Sequence, residues 1–354
     1  MSAPQVPHSH RHLQERAGDV AALICTEPSG RLPFQSVLLA ETIRLRGGRF
    51  ADMPIYSFQP RRGPALPERT RRRFFELGVI HLDGPFNTCL PNYGHANKAY
   101  ICAWAEAMLP HERLVLFDSD TLVLSEPDLF DLPSGHDVAV AVEPFKVGGT
   151  DGDDENTEMW DTYQRLVGTE SPPMVTTRID QQRIRGYYNG GLIIARREAG
   201  IMREWLQVLE EMTDSGLIPG DNRAIFTDQI SFTLALVRLG IKPLLLPPAY
   251  NYPLAWQDRI PDDTRLEELD QVAVAHYFRV LDTPTVKDPL TLIAGLEITE
   301  RDAEISELIR RSRVTPDPRR NPLRTARFKS RERLAPIAKK LGMRRDRFAA
   351  LSQR

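Results

Sequence analysis

An α/β fold with a mostly parallel central sheet flanked by helices is the class the sequence predicts, on three observations. Apolar runs of strand length alternate with segments of helical spacing from residue 20 to residue 117. The connections between runs are long enough to be right-handed crossovers, each laying a helix on a sheet face. The fourth run, "RLVLF", ends in "DSD" at 118–120, where open α/β sheets bind their ligands, outside the carboxyl ends of strands.

Taken in order, "VAALICTEP" (20–28) reads as a buried strand ending in a polar turn. "PFQSVLLAETIRLRGG" (33–48) repeats apolar residues at Phe34, Val37, Leu38 and Leu45, with a Pro start and a Gly stop, and is a helix. "MPIYSFQP" (53–60) is a second strand, "LPERTRRRFFELG" (66–78) a helix and "VIHLD" (79–83) a third strand. "HANKAYICAWAEAMLP" (95–110) is the helix that delivers the chain into the acidic pair. Beyond it, "DVAVAVEP" (137–144) is a short strand, and 146–158 is an acidic, Gly-rich loop, a lid, an acceptor contact or a solvated loop. "YYNGGLIIARR" (187–197) is a strand preceded by a polar turn, "TDQISFTLALVRLG" (227–240) a helix and "QVAVAHYF" (271–278) a late strand.

Residues 1–18 are expected to form a mobile arm, 19–309 the catalytic domain and 310–354 a basic extension. The tail carries sixteen Lys or Arg against three acids, so the net charge of −2 conceals +13 there and −15 in the body. Such an asymmetry speaks of partners rather than of fold. Apolar residues among the tail's cations fit peripheral contact with an anionic membrane, docking on the acidic body, or plain solvation. Sparse aromatics argue against nucleic acid. No window has the apolar length of a membrane span, and the N-terminus lacks a signal peptide's apolar core. The three cysteines, Cys25, Cys89 and Cys102, have no metal-like spacing and leave an odd thiol. The expected compartment is therefore the cytoplasm, with the inner membrane face as a possible docking surface.

Asp118 and Asp120 interrupt an apolar run, and a buried unpaired carboxylate is expensive, so a cation should meet them. In an extended segment, residues i and i+2 share one side, so both acids can face one ligand while Ser119 turns away. Two hard oxygen donors beside a cleft suit Mn2+ or Mg2+, which takes its remaining ligands from water and substrate phosphates.

"LVLFDSDTLV", "YYNGGLII", "FTDQISF" and "VAHYF", in that order, resemble the motif series of the nucleotide-sugar-dependent glycosyltransferases of the GT-A fold, most like family 8, over residues 20 to 285. The resemblance implies a GT-A-like domain that moves a sugar, a hexose by preference, from a nucleotide-sugar donor to an acceptor. A UDP-sugar is the favoured donor; a saccharide, lipid-linked or other hydroxylated molecule is the acceptor, and anomeric configuration is retained. It assigns Asp118, Asp120 and His276 to the metal. It assigns Asp228, Gln229 and Asn189 to catalysis, and Gly190 and Gly191 to the donor sugar. Asn97, Lys98, Thr26, Glu27 and Ser119 fall among its donor-binding positions. The residues alone leave alternatives: a hydrogen-bonded core histidine at 276, a tight turn at 189–191, a helix-start acid at 228 and a solvated Lys98. The sequence departs from the family after His276, where "HYFRVLDTPTVKDP" lacks the Gly and Trp of the phosphate-gripping element and sets Lys287 further along.

Two other functions share these motifs. A haloacid-dehalogenase-like phosphohydrolase would use Asp118 as nucleophile, although several strand–helix units precede the motif and no well-spaced later acid pair follows. A non-catalytic nucleotide-sugar-binding protein would keep the site without turnover.

Overall fold

The computed structural model describes residues 19–28, 30–216, 227–278, 304–305 and 307–308. The expected arm (1–18), most of the stretch carrying Lys287, and the basic extension (310–354) lie outside them. The described elements run β1 (Val20–Cys25), α1 (Leu32–Arg46), β2 (Ile55–Gln59), α2 (Glu68–Glu76), β3 (Ile80–Asp83), α3 (Asn97–Met108) and β4 (Arg113–Phe117). They continue through β5 (Thr121–Val123), β6 (Val138–Val142), α4 (Thr157–Val167), β7 (Met174–Thr176), β8 (Arg183–Arg185) and β9 (Tyr188–Arg196). The rest are α5 (Ile201–Asp214), α6 (Thr227–Arg238), β10 (Leu244–Leu245), β11 (Tyr252–Pro253) and β12 (Val274–His276).

Seven strands form the central sheet in the order β10-β6-β9-β4-β1-β2-β3. All neighbours are parallel except β9, which runs antiparallel to both β4 and β6. This is the mostly parallel α/β class expected from the sequence, with an antiparallel strand inserted beside the acidic pair. The late strand is not part of it: β12 lies between β11 and β5 in a separate three-stranded sheet, antiparallel to β5.

Alternation along the strands feeds two cores. Ala21 and Leu23 of β1, with Leu114 and Leu116 of β4, pack under α3, α4, α5 and α6 through Ile101, Trp160, Trp205 and Phe232. Val20, Ala22 and Ile24, with Val115 and Phe117, pack on the other face against Leu39 and Ile43 of α1 and Phe74 of α2. Burying each large apolar side chain contributes about 1.5–3 kcal/mol, so a strand apolar on both faces is held in the sheet centre.

Helix ends are set by local chemistry. Pro33 stands in the first turn of α1, where a missing N–H costs nothing. Gly168 ends α4 at φ 68°, the left-handed closure glycine supplies. Glu106 of α3 accepts the N–H groups of Met202 (3.0 Å) and Arg203 (3.1 Å), so one helix caps the next at α5. The acidic loop at 146–158 is organised by its own bonds. The Lys146 ammonium pairs with Asp151 and, at 2.8 Å, with Asp154, and Trp160 Nε1 donates to the Gly148 carbonyl at 2.9 Å.

Candidate active site

The acidic pair does not sit on a pleat. Asp118-Ser119-Asp120 forms a turn joining β4 to β5, closed by the Thr121 N–H (3.2 Å) and Thr121 Oγ1 (2.7 Å) on the Asp118 carbonyl. The turn still sends both carboxylates one way and Ser119 the other, into the protein, where its hydroxyl donates to Gln35 Oε1 at 3.1 Å.

Backbone bonds knit the separated motifs together at this turn. The Asp118 N–H donates to the Gly191 carbonyl at 2.9 Å, prolonging the β4–β9 ladder. The Asp120 carbonyl accepts from the Tyr277 N–H at 3.0 Å, prolonging β5–β12. Asp118, Asp120 and His276 thereby converge, their potential ligand atoms all within 4.8 Å of one another, and His276 Nε2 lies 3.2 Å from Asp120 Oδ1. Ligands at about 2.1 Å from a hard dication stand about 3 Å apart when adjacent and about 4 Å apart when opposite. The 3.2 Å pair already stands at the adjacent spacing, and a shared dication would draw the wider separations, up to 4.8 Å, inward.

The Asn-Gly-Gly stretch is also not a turn before a strand. It lies inside β9, where the pairing with β6 jumps from Val140↔Ile193 to Ala141↔Asn189, a bulge of the kind that re-aims side chains beside active sites. Gly191 is needed sterically: a Cβ there would sit 2.5 Å from His276 Nδ1 and 2.7 Å from Asn189 Oδ1. Gly190 donates its N–H to Gln229 Oε1 at 2.8 Å, and its carbonyl accepts from Lys98 Nζ at 3.3 Å.

Lys98 projects from the first turn of α3 to Asp118 Oδ1 at 2.6 Å. Burial opposes its charge, but Asp118, Asp228 and Asp120 outweigh burial and hold its pKa above the ordinary lysine value. For Asp120, burial is likewise outweighed, by His276 and then Lys98, and its carboxyl stays below the usual range. Asp228, buried in the first turn of α6, is pushed upward by burial against the pull of Lys98 and His95. Its N–H donates to Tyr93 Oη at 3.1 Å, and the Tyr93 hydroxyl donates back to Asp228 Oδ1 at 3.3 Å. Trp205 Nε1 fixes the Asp228 carbonyl at 2.8 Å. Asp118, Asp120 and Asp228 thus surround Lys98 and His276, a negative excess that a dication would offset.

Some sequence-expected residues face inward. The Thr26 hydroxyl is fully buried, donating to Ser36 at 2.8 Å and accepting from Ser57 at 2.9 Å. Asn189 is committed throughout, with Nδ2 on Glu143 Oε1 (2.8 Å) and Oδ1 accepting from Gly191 N–H (2.9 Å) and Asn251 Nδ2 (2.9 Å). Asn97 Nδ2 (3.1 Å) and Arg61 Nε (2.9 Å) both donate to Glu27 Oε1, holding that carboxylate at the end of β1.

Sequence reasoning missed Glu143, Tyr93, Tyr187 and Asn251. Glu143 stands just past the end of β6, partly exposed, its carboxyl pushed up to about 7 by burial against the hydrogen bonds of Asn189 and Gln229. Tyr187 accepts from Gln229 Nε2 at 2.9 Å. Glu143 and Tyr187 border strands the sequence did reveal; for Glu143 a polar residue at a strand's carboxyl end was the available signal, and Tyr187 stands just before the start of β9.

A family model described as the Rhodobacterales glycosyltransferase domain matches residues 22–240. No curated protein sequence matches the chain. Among solved structures, the galactosyltransferase LgtC in complex with donor and acceptor sugar analogs is similar at 13% identity and TM-score 0.47, over 86% of this chain and 100% of that one. The bifunctional glycosyltransferase WbbM is similar at 12% and 0.46, over 82% of this chain and 51% of that one, so this chain spans about half of WbbM. Mouse xyloside xylosyltransferase 1 is similar at 14% and 0.42, over 74% and 98%. More than half of the chain lies within the family match: it belongs to the Rhodobacterales glycosyltransferase domain family and is a glycosyltransferase. The phosphohydrolase alternative falls with that assignment.

Proposed function

We propose that this glycosyltransferase is metal-assisted: Asp118, Asp120 and His276 hold Mn2+ or Mg2+ against the diphosphate of a nucleotide sugar, a UDP-sugar by the resemblance to family 8. The convergence of two acids and a histidine from two sheets onto one point carries the reading. The negative excess around that point supports it.

Breaking the bond between sugar and diphosphate leaves negative charge on the departing phosphate oxygen while the anomeric carbon becomes cationic. A bound dication supplies Lewis-acid stabilisation of that oxygen. Lys98, 2.6 Å from Asp118, adds a second positive charge beside the same phosphate. Asp228 and Gln229 stand at the opening of α6, each fixed by a tyrosine, and orient the sugar ring and the incoming hydroxyl. Asn189 acts by holding Glu143, Gly191 and Asn251 in place rather than by touching the sugar. Glu27, held by Asn97 and Arg61 at the end of β1, belongs to the nucleoside side of the cleft. The acceptor is a hydroxylated molecule, and transfer proceeds with retention by the same family resemblance.

Among the described residues no helix is long and apolar enough to cross a membrane. Contact of the basic extension with an anionic surface remains a proposal, tested by vesicle co-sedimentation before and after truncation at Arg310. Hydrolysis of a UDP-sugar tests the main reading. Turnover that requires Mn2+ and disappears in Asp120→Ala is expected. Binding without any turnover would leave a non-catalytic nucleotide-sugar protein.

A further inference from the structure

His276 has two ring nitrogens, and only one of them can serve a metal. Which one is free depends on the other's hydrogen bond. Here that bond ends a chain of amides whose orientations are each forced. The Gly191 N–H, a backbone donor that cannot be anything else, meets Asn189 Oδ1 at 2.9 Å. At the other end of the same amide, Nδ2 meets the Glu143 carboxyl at 2.8 Å. The Gly191 donor therefore fixes which way Asn189 faces, and the Glu143 contact agrees with it. Its oxygen also lies 2.9 Å from Asn251, so Asn251 must turn its NH2 toward Asn189. The remaining atom of Asn251, Oδ1, is left 3.0 Å from His276 Nδ1. An amide oxygen only accepts, so Nδ1 must carry the proton. Nε2, 3.2 Å from Asp120 Oδ1, is the nitrogen left to a cation.

The fold holds Asn251 in this pose at some cost. It is 2% exposed, and its φ is +53°, a left-handed conformation that asparagine tolerates better than most residues. Arg178 grips the loop around it, donating to the carbonyls of Pro247 (2.7 Å), Tyr250 (2.7 Å) and Asn251 (3.4 Å). The ring itself is pressed between Gly191, which has no Cβ to obstruct it, and Phe278, stacked at 3.6 Å and 15°.

We propose that Asn251 is a positioning residue that locks His276 with its proton on Nδ1, so that Nε2 joins Asp118 and Asp120 on a divalent cation. The inference rests on the metal reading above, and two measurements separate them. The first is nitrogen-15 NMR of the His276 imidazole in the metal-free full chain, above the pH at which the ring loses its second proton, assigned by loss of the signal in His276→Gln. A proton on Nδ1 is expected; a ring protonated on Nε2 with Nδ1 bare overturns the proposal. The second is Mn2+ titration of Asn251→Gly, which suits the positive φ, and Asn251→Asp, which keeps an oxygen facing Nδ1. The glycine variant should bind Mn2+ about 10- to 100-fold more weakly and lose the single tautomer. The aspartate variant sets an oxygen against Asn189 Oδ1 but keeps an acceptor for the Nδ1 proton, so it should keep that proton and bind Mn2+ more tightly than the glycine variant. Equal Mn2+ affinity in wild type and Asn251→Gly overturns the proposal while the metal site stands. A wild-type protein with the Nδ1 proton but no Mn2+ affinity overturns the metal site while the tautomer assignment stands. Should the glycine variant not fold, the wild-type spectrum and the aspartate variant decide the matter.

Discussion

Replacing Glu143 by Gln isolates a carboxyl whose protonation follows folding. In the folded protein burial pushes it up to about 7 from an ordinary 4.5. Between those values the folded state holds the proton and the unfolded state has released it, so stability falls as pH rises through this window. A displacement of that size corresponds to about 3 kcal/mol at most, and because the side chain is partly exposed the realised figure lies below that bound. Glutamine keeps an oxygen for the Asn189 Nδ2 bond and has nothing to titrate. Urea unfolding of both proteins at pH 5 and pH 8 reads the difference. Wild type should lose about 1–3 kcal/mol more than Glu143→Gln between the two pH values. Parallel profiles would refute the claim that this carboxyl is held neutral by its surroundings.

Three further outcomes follow from the same geometry. Gly191→Ala puts a methyl 2.5 Å from His276 Nδ1; the ring must shift, at about 1–3 kcal/mol in stability, and calorimetry should show Mn2+ affinity falling at least ~10-fold. Lys98→Met removes the ammonium 2.6 Å from Asp118; Mn2+ should bind more tightly because the site becomes more negative, while UDP binds more weakly, a split that parallel titrations would reveal. Glu106→Ala leaves the first N–H groups of α5 without their acceptor, which should cost about 1–3 kcal/mol in urea unfolding without altering Mn2+ affinity.

Most of the sheet was legible because β1, β2, β4, β6 and β9 are apolar runs bounded by polar turns, and a continuous run is what a strand buried on both faces requires. β5, β10 and β11 have only two or three residues, too few to establish a period, whereas β12 lies within the strand expected at 271–278. The spacing of Ile201, Trp205, Val208 and Met212 marks α5 clearly, yet it carries no motif and was passed over. Composition could not show that β9 enters antiparallel, because strand direction is decided by tertiary pairing. In the site, Asp118 and Asp120 announced themselves by interrupting an apolar run, whereas His276 was legible only through the family resemblance. Asn251 was invisible because its role depends on a hydrogen bond to Asn189, 62 residues away. Thr26 and Ser119 illustrate the converse: polar residues beside a site whose hydroxyls serve the scaffold.

The central claim is that the acidic turn grips a diphosphate through a divalent cation. Calorimetric titration of UDP into the full chain tests it most directly, with Mn2+ present, with Mn2+ chelated, and in Asp120→Asn. UDP should bind in Mn2+ and weaken by about 100-fold or more in the other two cases, a loss of several kcal/mol. Equal UDP affinity in all three would contradict the account.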